Sequence, residues 1–168
     1  LYNDLRYGRL DLIFINSTII INENKYKSFK LVDIEDCFFT IPSIYQKMKN
    51  ITNVKSILSQ SLIVQNEKYD TRTFLNSICL KNNIQLKPII ELDRHGLMIE
   101  FVKEGLGIGF ATKQYIKPYL DSGELVELNA NFNIQKRHIN CVYRNNKDVK
   151  VKKFIELLKY NIENTKKE

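Results

Sequence analysis

An α/β architecture of two lobes is what this sequence predicts, and three observations carry it. Short apolar segments of strand character alternate with helical segments through residues 61–128, with no repeat of fixed length; that order sets strands side by side under covering helices, and argues for a parallel sheet. Two longer apolar strands, Glu35 to Ile41 and His138 to Tyr143, bracket the alternation, so the middle of the chain forms one lobe and its two ends together form the other. The chain has 168 residues, 43% of them hydrophobic and 27% charged, enough for one domain or two small lobes that need no disulfide or metal staple.

The elements follow in order. Leu1, Leu5 and Gly8 read as the last turns of a helix that runs into a strand over Leu10 to Ile15. A polar connection with a candidate strand at Ile19 to Ile21 leads to the strand Glu35 to Ile41, which stops at Pro42 because proline cannot donate to a ladder. After an irregular stretch through Lys55 come strand Ser61 to Val64, helix Asp70 to Asn82, strand Lys87 to Leu92 and helix Gly96 to Glu104. Strand Ile108 to Ala111, helix Lys113 to Asp121, strand Leu125 to Leu128, strand His138 to Tyr143 and helix Val149 to Asn161 complete the chain. Asp70 and Thr112 stand where N-caps belong, and Pro118 tightens or ends its short helix. In the last helix Val151, Phe154, Ile155, Leu157, Leu158 and Ile162 recur at helical spacing, which leaves the lysines on a solvated face.

Composition excludes several classes. The apolar runs are far shorter than the roughly 18–20 residues a membrane span requires. The net charge of +7 comes mostly from dispersed lysines, so it does not define a nucleic-acid surface. Cys37, Cys79 and Cys141 are odd in number, lie far apart and sit in apolar segments without ligand spacing, which reads as buried free thiols in a reducing cytoplasm. Leu1 to Arg9 has neither an initiator Met nor the apolar core of a signal peptide, so the sequence reads as a fragment of a longer protein.

Gly105, Gly107 and Gly109 superficially match a dinucleotide fingerprint, but here the order is helix, glycines, strand, the reverse of a phosphate cradle. They read as a helix C-cap at Gly105 and close packing at the other two. Open α/β sheets bind ligands at the C-terminal ends of parallel strands, where helix N-termini converge. Three such loops are legible: Gln65 and Asn66 with Thr71, Arg94 and His95 with Gly96 and Leu97, and Thr112. An anionic ligand would be met by Arg94, His95 and backbone amides; the plain alternative is that Asp93, Arg94 and His95 are capping and solvent residues. No catalytic or metal-ligating set appears, because the two histidines show neither HExxH nor GxSxG context and the acidic residues fall on no common face. No cofactor is called for.

The segments "GRLDL" at Gly8 to Leu12, "FVKEGLGIGFAT" at Phe101 to Thr112, "SGELVEL" at Ser122 to Leu128 and "KRHINCVYR" at Lys136 to Arg144, with the terminal "VKVKKFIELLK" helix, together resemble the effector-binding domain of LysR-type transcriptional regulators over nearly the whole chain. The resemblance implies a periplasmic-binding-protein-like (type 2) two-lobe fold with parallel or mixed sheets flanked by helices. On that pattern residues 1–41 with 139–168 make the first lobe, incomplete here, and residues 42–138 the second. Thr40, Ile41, Pro42, His138 and Ile139 would lie at the hinge, and a small molecule would bind in the cleft. The resemblance also implies a homodimer or tetramer, and contact with DNA only through an upstream helix-turn-helix domain not in this chain. A transport-type solute-binding protein of the same fold, and an enzyme such as a dehydratase-like two-lobe protein, are the alternatives; a secretion signal or a conspicuous acid/base residue would mark them.

Overall fold

The computed structural model describes residues 1–16, 25–48, 53–128, 134–145 and 148–165; the candidate strand Ile19 to Ile21 lies outside them. In chain order the elements are α1 (Tyr2–Arg6), β1 (Leu12–Ile15), β2 (Tyr26–Ile34), β3 (Asp36–Thr40), α2 (Pro42–Lys47), α3 (Val54–Leu58), β4 (Leu62–Gln65) and α4 (Asp70–Lys81). They continue with β5 (Ile90–Leu92), α5 (His95–Lys103), β6 (Ile108–Thr112), α6 (Lys113–Asp121), β7 (Val126–Glu127), β8 (Arg137–Arg144) and α7 (Val149–Thr165). The chain forms two compact units, Leu1–Ile34 with Arg137–Glu168, and Glu35–Lys136.

The first unit carries a three-stranded sheet in the order β1-β8-β2, antiparallel throughout, so the parallel arrangement expected from the alternation does not extend to it. On one face Ile13, Tyr26 and Val142 bury against Leu5 of α1. Cys141, opposite both Phe14 and Phe29 in register, is fully buried. β2 escapes sequence reading because its register shifts between Lys30 and Val32, and such a bulge breaks the two-residue period that marks a strand. In α7 the buried positions are Val151 and Ile155. Phe154 and Leu157, expected on the same apolar stripe, are 42% and 56% exposed, because at 3.6 residues per turn they lie on the flank of the row that Val151, Ile155, Leu158 and Ile162 define.

The second unit carries a five-stranded mixed sheet, β5-β4-β6-β3-β7, with β4 parallel to β5 and β6, and β3 antiparallel to β6 and β7. Its central strands are buried on both faces, which is why they read as unbroken apolar runs. Alternation sends Phe38, Leu62, Val64 and Phe110 into one core with Leu75 and Ile78 of α4. Phe39, Ile63 and Ala111 enter a second core with Met98 and Val102 of α5 and Ile116 of α6. The stretch read as irregular contains α2 and α3: Pro42 opens α2 at its first turn, and Asn53 caps α3 by accepting from the Ser56 N–H at 2.9 Å.

The glycine reading holds in detail. Gly105 has φ +75° and closes α5 in a Schellman motif, with Gly105 N–H donating to Val102 O at 2.9 Å and Leu106 N–H to Phe101 O at 3.2 Å. A Cβ on Gly107 would stand 2.3 Å from the Ser61 carbonyl oxygen, so β6 runs closer to the neighbouring backbone than any side chain permits. Two capping expectations are corrected. Tyr69, not Asp70, is the N-cap of α4, and Thr112 occupies the N-cap of α6 without capping it through its side chain. Pro118 does not end α6, which continues to Asp121.

The residues expected at a hinge fall inside the units. Thr40 is fully buried in β3, where its hydroxyl donates to Gly107 O at 3.1 Å; Ile41 and Pro42 start α2. His138 and Ile139 are ladder residues of β8, opposite Asp33 and Val32. The chain passes from one unit to the other at Ile34/Glu35 and at Lys136/Arg137, earlier in both cases than the lobe boundaries expected from the sequence.

Candidate functional site

The parallel strand β4 ends at Gln65, the antiparallel-paired β3 begins at Asp36, and β6 ends at Thr112. Gln65, Asp36 and Thr112 are 2%, 5% and 7% exposed, so three polar side chains are gathered out of solvent. Asp36 and Thr112 face each other across the β3–β6 ladder, and the Thr112 hydroxyl donates to Asp36 Oδ1 at 2.9 Å. That commits the Thr112 proton and leaves its oxygen to accept. Gln65 Nε2 lies 3.4 Å from His95 Nδ1, a long hydrogen bond in which Nδ1 accepts and the ring proton sits on Nε2. Neither Gln65 Oε1 nor His95 Nε2, both shielded from solvent, has a partner among the described residues.

His95 is the first residue of α5, and Arg94 occupies its N-cap without closing it. The N–H groups of His95, Gly96 and Leu97 therefore have no carbonyl one turn back and no side-chain cap. Among the three helices that begin beside the strand ends, α4 carries Asp70 in its first turn, and at α6 the Lys113 N–H is taken by Glu35 O at 2.7 Å. The start of α5 is thus the one suited to an anion. Tyr115 stacks on the His95 ring at 4.6 Å, with the planes 20° apart.

Burial holds the His95 imidazole below its ordinary value of 6.5, against a smaller opposing pull from the Asp36 carboxylate. The ring is neutral at pH 7, as its acceptor role toward Gln65 requires. A group whose folded value is depressed contributes stability that is complete above the unfolded value, about 6.5, and is lost as pH falls through the folded one. Urea midpoints measured between pH 7.5 and 5 are expected to fall with acidification, and His95→Gln is expected to flatten that slope; an unchanged slope in the variant would remove His95 as its source.

Asn66 is exposed; its N–H donates to Leu92 O at 2.9 Å and ties the loop to β5. Thr71 is 8% exposed in the first turn of α4. Arg94 is exposed, and Leu97 is 45% exposed. Gln65 and His95 are in contact, and Thr112 and Asp36 form a second pair on the neighbouring strands β6 and β3. The sequence reading omitted Tyr115 and Arg72. Arg72, 4% exposed, donates to Gln65 O at 2.9 Å, to Asn76 Oδ1 at 3.0 Å and to Glu91 Oε1 at 3.0 Å. A charged residue on the buried side of a helix was the available signal.

A groove of about 620 Å³ lies elsewhere in the second unit, bordered by Lys113, Lys117, Leu120, Leu125, Val126 and Glu127. Its lysines are paired, with Lys113 2.6 Å from Glu127 and Lys117 2.9 Å from Asp121. Among the described residues there is no cluster of three metal-ligating side chains and no helix long and apolar enough to cross a membrane. All three cysteines are free and buried. Burial pushes the Cys37 thiol up to about 12 and the Cys141 thiol up to about 11, far from the thiolate state that redox chemistry uses.

Two α/β units with polar side chains converging at strand ends are the anatomy of a periplasmic-binding-protein-like ligand-binding domain. Residues 1–162 match the LysR substrate binding domain, and the chain belongs to that family, the effector-binding domains of LysR-type transcription regulators. Solved structures agree on the fold. The regulatory domain of CcmR from Synechocystis PCC6803 in complex with 2-PG is similar at a TM-score of 0.75 and 14% identity, covering 94% of this chain and 76% of that one. The reduced regulatory domain of OxyR2 from Vibrio vulnificus gives 0.68 and 17%, covering 96% and 75%. The effector binding domain of QuiR in complex with shikimate gives 0.66 and 18%, covering 88% and 68%. No curated protein sequence matches the chain.

Proposed function

We propose that this chain is the small-molecule sensor of a cytoplasmic LysR-type regulator, not an enzyme, and that its effector is an anion seated at the ends of β4 and β6 against the start of α5. The observation that carries the reading is the pair of buried, unpartnered polar atoms, Gln65 Oε1 and His95 Nε2, beside an uncapped helix N-terminus. Buried polar groups ordinarily have partners, so their absence here fits a ligand that supplies them. Gln65, Asn66, Thr71, Arg94, His95, Gly96, Leu97 and Thr112 are the residues proposed to surround it. CcmR and QuiR, of the same fold, are described with 2-PG and shikimate bound, which supports an organic anion.

Regulation then follows from differential affinity. An effector that prefers one conformation of the domain shifts the population toward it, and DNA-binding domains outside this chain, held in a homodimer or tetramer, change their hold on the operator. The test is thermal-shift screening of organic carboxylates, 2-PG and shikimate among them, followed by calorimetry of the tightest binder on Arg94→Ala. Loss of a charged hydrogen bond predicts weakening by about 1.5–3 kcal/mol, or roughly 10- to 150-fold. A panel without a binder, or a binder indifferent to replacement of Gln65, His95 and Arg94, would overturn the site.

A further inference from the structure

We propose that Gln65 and His95 read the effector as a matched acceptor and donor, so that it is a carboxylate carrying a hydroxyl or amino group on the neighbouring carbon. This rests on the effector reading above and narrows it to a chemical class. Each group at the junction has a fixed polarity. The N–H groups at the start of α5 and the His95 Nε2 proton donate, which suits a carboxylate. Gln65 Oε1 only accepts, and the Thr112 oxygen only accepts because its proton is committed to Asp36 at 2.9 Å. A simple anion would satisfy the donors and leave Gln65 Oε1, on a side chain 2% exposed, still without a partner.

The acceptor must therefore be met by a donor on the ligand, next to the carboxylate. A neutral His95 is part of the same arrangement, since a protonated ring would lose the Nδ1 acceptor that orients the Gln65 amide. Both atoms are sheltered within the fold, and a site built this way rejects an analogue lacking the group far more strongly than an apolar pocket would. Tyr115, which covers one face of the imidazole and is itself 60% exposed, has the rotamer freedom of a surface side chain to admit the ligand.

The probes are three matched three-carbon acids: propionate with no donor, lactate with a hydroxyl and alanine with an ammonium. The readout is the imidazole nitrogen spectrum of the ¹⁵N-labelled chain, in which His138 is the only other histidine and serves as internal control. Lactate or alanine is expected to bind at least about tenfold tighter than propionate, as loss of one hydrogen bond implies, and to move the His95 resonances while leaving His138 in place; which of the two binds tells hydroxyl from ammonium. Gln65→Met is expected to bring the ratio to within about twofold of one. Should that variant not fold, the comparison of the three probes on the native chain decides alone. Equal binding of all three at His95 overturns the donor requirement and leaves the effector site standing; carboxylate binding that moves neither His95 nor the Gln65 amide overturns both. Silence from all three probes overturns the pair as a recognition element.

Discussion

Gly107→Ala is expected to destabilise the second unit by about 3 kcal/mol, seen as a lowered urea midpoint without loss of the first unit's structure. The new Cβ would sit 2.3 Å from Ser61 O and 3.2 Å from Ser61 C, backbone atoms that no rotamer change moves aside. Ser61 O also accepts from Ile108 N–H at 2.9 Å, and on the other side Gly107 O accepts from the buried Thr40 hydroxyl at 3.1 Å. The strand therefore cannot step away from β4 without breaking a bond on one side or the other. Overpacking of this kind costs about 1–3 kcal/mol, and a lost buried hydrogen bond about 0.5–1.5 kcal/mol more. Gly96→Ala is the control. Nothing lies within 4 Å of its added methyl, and in a helix alanine is favoured over glycine by up to about 1 kcal/mol, so that variant is expected to be neutral or stabilised. A Gly107→Ala chain as stable as the native one would show that β6 is not held as close to β4 as the structure has it.

The legibility of this fold tracks how many faces an element buries. β3, β4 and β6, covered on both sides, appear in the sequence as apolar runs, and the boundaries read from them agree with the structure to within a residue or two. β2 does not appear, because its bulge at Lys30/Val32 displaces the apolar positions from a two-residue rhythm. α2 and α3 are a single turn or so, too short for a helical period to show. The site is legible as loops and not as contacts. Strand-end position points to Gln65, His95 and Thr112, yet the partner of the Thr112 hydroxyl is Asp36, 76 residues earlier, and only the antiparallel register of β3 on β6 brings the two together. Likewise Thr40, Ile41 and His138 differ little in character from their neighbours, so which ladder or helix start each joins is not legible from the sequence.

Arg72→Met is expected to cost about 2–4 kcal/mol of stability in the second unit and to weaken effector binding although Arg72 does not reach the proposed ligand. Two contributions compete to explain such a loss. The ion pairs are the weaker one: Glu91 is 42% exposed and Glu67, 3.8 Å away, is 74% exposed, so both carboxylates remain solvated when the guanidinium is removed, and exposed pairs contribute about 0–1 kcal/mol. The stronger one is the set of acceptors left behind. Gln65 O, on the buried end of β4, loses a charged donor at 2.9 Å and the half-buried Asn76 Oδ1 loses one at 3.0 Å, and an orphaned buried acceptor such as Gln65 O costs about 1–3 kcal/mol. Because that same Gln65 carries the unpartnered amide oxygen of the site, the guanidinium acts as its positioning residue, fixing the backbone from which the side chain reaches His95. Arg72→Lys keeps the charge but not the planar fork and is expected to recover only part of the loss. Glu91→Gln separates the two explanations: a cost under about 1 kcal/mol leaves the orphaned acceptors responsible, whereas a cost equal to that of Arg72→Met would assign the stability to the ion pair and remove the link between Arg72 and effector affinity.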